Sequence, residues 1–404
     1  MRGLFIFSLL SASMCGAQIT GRFTIDKAAF APGEPVVLNF TIHNDGKTPV
    51  YISTADPYSF CSGYKIQVDR TSSPDAACPP RSYGGSCASG LLELAPGASR
   101  TEQILLNYQN LSRGERKPVV RLPGDYTIDA ARDVAFEADS SFKPPYRTLS
   151  FKQTLYLRVD PDLKVPAEAF VPSIAQLRST DFTTNRNAAL TLATLAPAEL
   201  EPLLLTFATS KEPAIHENAP DALANLNTEA SLAALAAMAQ NEQAGSYASM
   251  RSAELLGETH DSKWFPLLLS TADKNAGIST YLQYAADSGG DAAVAPLAGR
   301  LRTADASTRM GILYALGETG SAAAVPILIG SLPSGPSAQS ADSRSLTWQT
   351  DRMLQQLTHY TASTNYADDD VSTWRPRWQR WWLGHGSTAK TYFSEACGSA
   401  EMLP

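Results

Sequence analysis

The sequence predicts a multidomain β + α protein in which an N-terminal β-sandwich is followed by a C-terminal α-solenoid. From residue 19 to about 160, short β-rich stretches alternate with Pro/Gly turns, a pattern typical of a β-sandwich. From about 186 to 332, one apolar pattern recurs five times at intervals of about 30 residues, which is the period of a helical repeat array.

Length and composition agree with this division. A chain of 404 residues is expected to form two or three domains. Its 44% hydrophobic and 18% charged content suits well-packed cores. The net charge of −7 provides no excess of cations to neutralise phosphates, so we expect no nucleic-acid partner.

Residues 1–17 have the pattern of a signal peptide. Arg2 precedes a short apolar run over 4–10, and small residues lead to a cleavage site between Ala17 and Gln18. The run is shorter than the roughly 20 residues that cross a bilayer. The sequence therefore predicts export to the periplasm or the extracellular space, with no membrane span in the mature chain.

The cysteines leave two questions open. Cys15 offers an alternative, anchoring as a lipoprotein. Cleavage after residue 17 leaves an even number of cysteines, which permits two disulfides in three connectivities; the four are Cys61, Cys78, Cys87 and Cys397. Cys78 and Cys87 flank a turn-rich loop and are the easiest pair to close, which leaves the other two paired or free. Their spacing is not the paired C-x-x-C type of zinc sites, so we expect no metal.

The predicted sandwich covers 18–160. Its clearest strand alternates apolar residues onto one face, namely Val36, Leu38, Phe40 and Ile42. Asn44-Asp45-Gly46 then predicts a turn, and Pro123-Gly124-Asp125 predicts another before a late strand.

The stretch from Phe30 to Val36, the following Phe40-Thr41-Ile42-His43-Asn44 and the late Pro123-Gly124-Asp125-Tyr126 resemble immunoglobulin-like bacterial sandwiches. That group includes the BsuPI-type proteinase-inhibitor domain. The resemblance covers about 140 residues and rests on turn and core positions. It implies the fold, whereas no matched motif carries the inhibitory activity. Inhibition through a loop such as 71–90 stays an alternative.

A proline-punctuated linker at 161–172 precedes the predicted solenoid at 173–332, with about five helix pairs. The second helix of each pair shows apolar residues at i, i+3, i+4 and i+7; these quartets begin at Leu200, Leu232, Phe265, Val294 and Val325. Two first helices end in the same tripeptide, Leu256-Gly257-Glu258 and Leu316-Gly317-Glu318. We expect each of these glycines to supply the C-terminal cap that ends its helix.

The segments 309–318, 324–328 and 252–258 resemble HEAT repeats, an armadillo-type fold, and especially the short type of the phycobilisome-lyase group. The resemblance covers about 150 residues. It implies a curved α-solenoid whose concave face holds protein partners. It does not imply bilin chemistry.

The C-terminal part is predicted as a flexible loop at 333–345, capping helices at 346–385 and a tail at 386–404 that is loose unless Cys397 ties it down. Four tryptophans share one helix face, namely Trp374, Trp378, Trp381 and Trp382. Repeat arrays need terminal caps, so we expect these side chains to cover the last repeat. Weak association with a membrane surface or a partner is the alternative.

Few residues suggest chemistry. His260-Asp261 is a lone His-Asp pair without further ligands, and Asp368-Asp369-Asp370 lacks a spaced calcium loop. The motifs of serine hydrolases, zinc hydrolases and nucleotide-binding proteins are absent from the sequence. We expect no catalytic, cofactor-binding or metal residues.

The predicted function is non-catalytic protein binding or scaffolding in the cell envelope or outside the cell, through the concave surface of the repeats. The partner and the binding residues stay unknown. The alternatives are an enzyme of unrecognised type, with a site where the two domains meet, and a proteinase inhibitor.

Overall fold

A computed structural model describes most of the chain as two compact units, which divide between Ala169 and Phe170. The described residues are 19–54, 63–70, 90–107, 120, 122–137, 147–166, 168–241, 246–275, 279–333, 341–362, 370–386, 388–392 and 401–402.

The N-terminal unit consists mostly of strands. They are β1 (Ile19–Ile25), β2 (Ala29–Phe30), β3 (Val37–Asn44), β4 (Val50–Thr54), β5 (Tyr64–Arg70), β6 (Gly90–Leu94), β7 (Ser99–Leu105), β8 (Gly124–Glu137) and β9 (Arg147–Val159). One sheet has the order β1-β3-β7, and the other has the order β2-β9-β8-β4-β6, with β5 also paired to β8. Side chains from both sheets form one hydrophobic core.

Along the strands, buried and more exposed residues alternate, as the sequence pattern predicts. In β8 this alternation extends further than predicted. The sequence predicts a turn at Pro123-Gly124-Asp125 that leads into a strand through Tyr126-Thr127-Ile128, whereas β8 begins at Gly124 and continues to Glu137. Its second half includes Ala131, Arg132 and Asp133, which have modest β-propensity. Tertiary pairing overrides that propensity, because β9 pairs with nearly the whole length of β8.

A buried polar network lies between the two sheets. Arg132 of β8 faces the core, with its Nε 4.0 Å from Glu102 Oε2 of β7. The Tyr64 hydroxyl donates to the same carboxylate, and the Arg132 guanidinium stacks 4.6 Å from the Tyr64 ring centroid. Burial, reinforced by the charge of Glu102, raises the pKa of Tyr64 well above its ordinary value.

The C-terminal unit is mostly helical. Its helices are α1 (Val171–Gln176), α2 (Phe182–Leu195), α3 (Glu201–Leu205), α4 (Pro213–His216), α5 (Ala219–Leu226), α6 (Glu229–Asn241), α7 (Tyr247–Gly257), α8 (Phe265–Lys274), α9 (Thr280–Gly289), α10 (Asp291–Leu301), α11 (Ala306–Glu318), α12 (Ala324–Ser331), α13 (Ala341–Thr358) and α14 (Trp374–His385). Two short strands, β10 (Tyr360–Thr361) and β11 (Glu401–Met402), pair in parallel near the C-terminus.

The helices pack as consecutive pairs. We call α2, α5, α7, α9 and α11 the first helices, and α3, α6, α8, α10 and α12 the second helices. Each first helix lies against the next first helix along the row, and α13 continues that row. Side chains about one repeat apart join neighbouring pairs: Arg251 meets Asp221, and Arg300 makes a bidentate ion pair with Asp273 at 2.6 and 3.0 Å.

The first predicted quartet does not form one helix. The stretch from Leu200 to Phe207 divides into a 3-10 turn, the short α3 and a second 3-10 turn that begins at Thr206. Pro202 in the first turn lacks an N–H, and the Thr206 hydroxyl donates to the Leu203 carbonyl at 2.6 Å. The apolar anchors Leu204 and Phe207 are nevertheless buried.

The prediction that Gly257 and Gly317 cap the C-terminal ends of their helices is wrong. Gly257 lies within α7, and the positive φ after this helix falls at His260. After α11 the positive φ falls at Gly320 instead of Gly317. Gly257 is needed for close packing, because an added Cβ would lie 2.8 Å from the Tyr284 carbonyl oxygen of α9. At Gly317 the added Cβ would meet Met353 of α13 at 2.9 Å.

The predicted flexible loop at 333–345 is corrected in part, because α13 begins at Ala341. Ala341 and Arg344 have high helix propensity, which favours this start. Residues 334–340 lie outside the described part of the chain.

Gly257→Ala should lower the free energy of unfolding by about 1–3 kcal/mol, because the added methyl group meets backbone of the next first helix. Gly330→Ala in α12 is the matched control, since an added Cβ there has no neighbour within 4 Å. That control should be neutral or stabilise the protein by about 0.4–1 kcal/mol. Urea unfolding followed by circular dichroism measures both. Equal effects of the two substitutions would contradict the packing role of Gly257.

Tyr64 should stay protonated in the native protein above pH 10. Its raised pKa means that the stability it contributes is fully present below the unfolded pKa of about 10 and is lost as pH rises further. Alkaline titration at 295 nm measures tyrosine ionisation. Tyr64→Phe should reduce the amplitude of the unfolded protein by one tyrosine and leave the native amplitude between pH 10 and 11.5 unchanged. A loss of native amplitude in this variant would show that Tyr64 ionises normally.

Candidate functional site

Equivalent positions on three neighbouring first helices form a regular surface. Relative to Leu256 of α7, Ala285 of α9 and Leu316 of α11, the same three sequence offsets recur on or directly beside the three helices. They place Met250, Ser279 and Met310 in one row, Glu254, Gln283 and Tyr314 in a second, and Glu258, Asp287 and Glu318 in a third. We call these nine residues the first-helix grid. Eight of them are half-buried or exposed, and Asp287 is buried.

One corner of the first-helix grid surrounds a buried guanidinium. Arg251 Nε lies 3.3 Å from Asp221 Oδ1, and Arg251 Nη1 lies 2.5 Å from Glu254 Oε2. Glu258 Oε1 lies 3.9 Å from the same nitrogen. Three carboxylates therefore converge on one cation, and the shortest of these contacts holds Glu254 in place.

The other corner is held by neutral contacts. An added Cβ on Gly311 would lie 2.8 Å from Ser279 Cβ, so α9 and α11 approach closely at the first row. The Tyr314 hydroxyl donates to Gln349 Oε1 of α13 at 2.6 Å. Neighbouring helices thus orient the polar ends of the grid side chains, while Met250 and Met310 contribute apolar surface.

The exposed side of the second helices differs in chemistry. Its exposed residues are mostly small side chains and prolines, among them Ala233, Ala237, Pro266, Ser270, Ala292, Ala295, Pro296, Pro326 and Gly330. Tyrosine and methionine are enriched at protein interfaces, whereas alanine, serine, aspartate and glutamate are depleted. Met250, Met310 and Tyr314 therefore favour their part of the first-helix grid over the second-helix side as an interaction surface.

The tryptophan helix is packed inside the C-terminal unit. Trp374, Trp378 and Trp381 are buried, while Trp382 is half-buried. Trp378 Nε1 donates to Asp351 Oδ1 at 2.6 Å. Asp351 also accepts from the Thr361 hydroxyl at 2.8 Å and from the Ala362 N–H at 3.1 Å. Three of the four tryptophans are therefore inaccessible to a membrane or a partner in this conformation.

The arginines of this helix are not all exposed to solvent. Arg375 Nη1 donates to the Leu332 carbonyl at 3.1 Å, and Arg377 Nη1 donates to the Ala362 carbonyl. Arg380 is exposed. Across the described residues, no helix is both long enough and apolar enough to cross a bilayer.

The C-terminal tail contacts α13 where the structure describes it. The Tyr392 N–H donates to the Leu357 carbonyl at 3.0 Å, and the Tyr392 ring stacks on His359 at 3.9 Å. Aromatic stacking and main-chain hydrogen bonding thus hold the tail at Tyr392. Cys397 lies outside the described residues.

The predicted His-Asp pair does not act as a unit. Asp261 accepts from the Lys263 N–H at 3.0 Å and lies 2.8 Å from the Lys263 ammonium, which lowers the pKa of its carboxyl. His260 Nδ1 instead lies 3.2 Å from Asp287 Oδ1, which belongs to α9 of the next helix pair. In the described part of the chain, no group of three or more histidines, cysteines, aspartates and glutamates is placed to hold a metal ion.

Asp370 accepts from the Ser372 N–H at 3.0 Å and so caps the 3-10 turn that opens α14. The remaining residues singled out in the sequence lie outside the described residues. They are Cys15, Ala17, Gln18, Cys61, Cys78, Cys87, Asp368, Asp369 and Cys397, together with nearly all of the loop 71–90.

One constellation was missed by the sequence reasoning. Ser99 Oγ lies 2.8 Å from His43 Nδ1, and His43 Nε2 lies 3.2 Å from Asp45 Oδ1. A shallow depression of about 290 Å³ adjoins them. The same sheet face pairs Thr41 with Thr101 across the strands at 2.9 Å. His43 and Ser99 are also cross-strand partners, so this contact continues a ladder of polar pairs on an exposed face.

Comparison with known proteins identifies HEAT repeats at residues 171–257, which extends from α1 to the end of α7. The C-terminal unit therefore contains HEAT-type repeats. None of the curated proteins compared with the chain matches it.

Among solved structures, the chain is similar to the crystal structure of Salmonella alpha-2-macroglobulin reacted with methylamine. The identity is 12% and the TM-score is 0.18, over 84% of this chain and 26% of that one. The chain thus spans about a quarter of that protein's length, and a likeness at this score carries no argument.

Asp351→Ala should lower the free energy of unfolding by more than about 3 kcal/mol, because it leaves the buried donors of Trp378, Thr361 and Ala362 without their acceptor. The exposed neighbour Arg352 provides the control: Arg352→Ala loses only a contact with Trp348 and should cost less than about 1 kcal/mol. Urea midpoints and near-ultraviolet circular dichroism report the result. A small effect of Asp351→Ala would show that the tryptophan helix does not depend on this carboxylate.

Proposed function

We propose that this chain is a non-catalytic protein-binding scaffold that docks its partner on the first-helix grid. The HEAT-type repeats suggest a protein-interaction scaffold in general terms. The observation that carries the finer proposal is the presence of Met250, Met310 and Tyr314, whose residue types are enriched at interfaces, at partly exposed positions of the first-helix grid.

The architecture proposed for this role is an α-solenoid preceded by an immunoglobulin-like β-sandwich. Consecutive first helices pack closely, at Gly257 and Gly317 among other places, which supports their assignment to the inner layer of the solenoid. A preformed groove of this kind binds through many modest contacts and loses little entropy on association. We propose further that the chain acts in the cell envelope or outside the cell, on the basis of the signal-peptide pattern at 1–17.

Site-specific photocrosslinking tests where the partner binds. A benzophenone side chain replaces Tyr314 in the first-helix grid or, as the matched control, Ala295 on the second-helix side, each in the full chain. Exposure to an envelope fraction and irradiation should yield one discrete adduct at position 314 and none at 295. Mass spectrometry then identifies the partner, and binding is measured again with both proteins purified.

A third crosslinker at Thr41, on the polar sheet face, tests the N-terminal unit. Docking on the first-helix grid would be contradicted if the crosslinker at position 295 gave the same adduct in the same yield as the one at position 314. It would also be contradicted if only the crosslinker at position 41 gave an adduct. No adduct at any position, with correct folding, would contradict the scaffold proposal itself.

A further inference from the structure

We infer that His260 and Asp287 form a pH-sensitive joint between the helix pair α7–α8 and the helix pair α9–α10, which tightens when His260 takes up a proton. This inference goes beyond the proposed function, because it concerns how the array holds together and needs no partner. Three features of the joint carry it: the position of the imidazole ring, the burial of the carboxylate and the charges on the elements around it.

The backbone holds the imidazole ring against the next helix pair. His260 follows α7 with a φ of 51°, and its N–H donates to the Gly257 carbonyl at 2.9 Å. Its Nδ1 lies 3.4 Å from the Asp287 carbonyl oxygen and 3.2 Å from Asp287 Oδ1. Both oxygens only accept hydrogen bonds, so Nδ1 carries the proton of the neutral ring. A second proton is therefore taken up at Nε2, and the ring becomes a cation without losing its contact with Asp287.

The Asp287 carboxylate lies where a neighbouring cation is most favourable. Its side chain is only 9% exposed and belongs to the last turn of α9, where the helix dipole disfavours negative charge. An added Cβ on Gly257 would lie 3.4 Å from Asp287 Oδ2, so the α7 backbone lies close to this carboxylate. A neutral imidazole offers it only a hydrogen-bond donor, whereas an imidazolium ion adds the opposite charge at a site with little water. The folded joint therefore takes up a proton more readily than the unfolded chain does.

Other charged groups lie on the elements that pack against α9. They are Arg251, Glu254 and Glu258 on or just after α7, Asp261 and Lys263 at the 3-10 turn before α8, Asp273 and Lys274 on α8, Asp291 and Arg300 on α10, and Arg309 and Glu318 on α11. The two cations nearest to His260 in sequence each meet a carboxylate of their own segment, at 2.5 Å for Arg251 and 2.8 Å for Lys263. Histidine is the one side-chain type in this set whose ordinary pKa lies between pH 5 and 8, so a response in that range points to His260.

The direction of the response follows from the proton uptake. The stability that the joint contributes through charge is fully present below the pKa of an unfolded histidine, about 6.5, and is lost as pH rises above it. Because neighbouring helix pairs stabilise one another, a tighter joint raises the stability of the array as a whole.

Urea unfolding of the full chain at about pH 5.5 and about pH 8, followed by circular dichroism at 222 nm, tests the inference. His260→Asn removes the titrating group and keeps a hydrogen-bond donor, and asparagine tolerates a positive φ. We expect this variant to raise the unfolding equilibrium constant at least about fivefold more at the lower pH than at the higher pH.

His359 provides the matched control. It is also a histidine with a positive φ, of 58°, and its ring stacks on Tyr392. His359→Asn therefore imposes the same backbone change without removing a contact to Asp287. It should change the unfolding equilibrium constant by the same factor at both pH values, to within about twofold.

Asp287→Asn tests whether the carboxylate is the partner. In this background, His260→Asn should have the same effect at both pH values, to within about twofold. Nuclear magnetic resonance adds a measurement that does not depend on stability. The Cε1–Hε1 signal of His260, assigned by its loss in His260→Asn, should titrate above about pH 6.5 in the native protein and closer to that value in Asp287→Asn.

Equal effects of His260→Asn at both pH values would overturn the inference, and so would a His260 signal that titrates at or below about pH 6.5 in the native protein. A pH-dependent effect that persists in Asp287→Asn would overturn it as well, because another group would then be the partner. None of these outcomes bears on the proposed function, which the crosslinking experiment tests separately.

Discussion

Close packing between consecutive first helices is the constraint on which the C-terminal unit depends. Gly257 allows α7 to approach the α9 backbone, and Gly317 allows α11 to approach Met353. Side-chain links one repeat apart, such as Asp221 with Arg251, add polar complementarity to this contact. Because each helix pair exposes apolar surface that only its neighbour covers, the stability of one repeat is inseparable from that of the next.

The same constraint produces the candidate site. Where first helices lie side by side at a regular interval, equivalent sequence positions become neighbours in space. Met250 and Met310, or Glu258 and Glu318, are far apart in sequence, yet they occupy equivalent positions because α7, α9 and α11 pack one against the next. A binding surface of this kind needs no loop to be ordered, and its charge pattern follows directly from the residue at one helical offset in each repeat.

The N-terminal unit depends on a different interaction, a buried polar network between its two sheets. Arg132 occupies a core-facing position of β8, whose other buried residues are apolar or aromatic, so an unpaired charge there would be costly. Glu102 and Tyr64 come from other strands and accommodate it by charge, hydrogen bonding and stacking. The three side chains therefore tie the two sheets together at a defined register. In the C-terminal unit, Asp351 plays a comparable part by accepting hydrogen bonds from α14 and from the segment after α13.

By itself, the sequence determined the order of β-rich and helical parts, the repeat period and the burial of the apolar quartets, because these follow from local periodicity and turn residues. It also indicated HEAT-type repeats, which the comparison at 171–257 supports. Only the tertiary structure decided why Gly257 is needed, how far β8 extends, and that Arg375 and Arg377 bind carbonyl groups. Each of these depends on atoms distant in sequence. The candidate grid likewise required knowing which helices are neighbours, since its nine residues share a surface only after the repeats have packed.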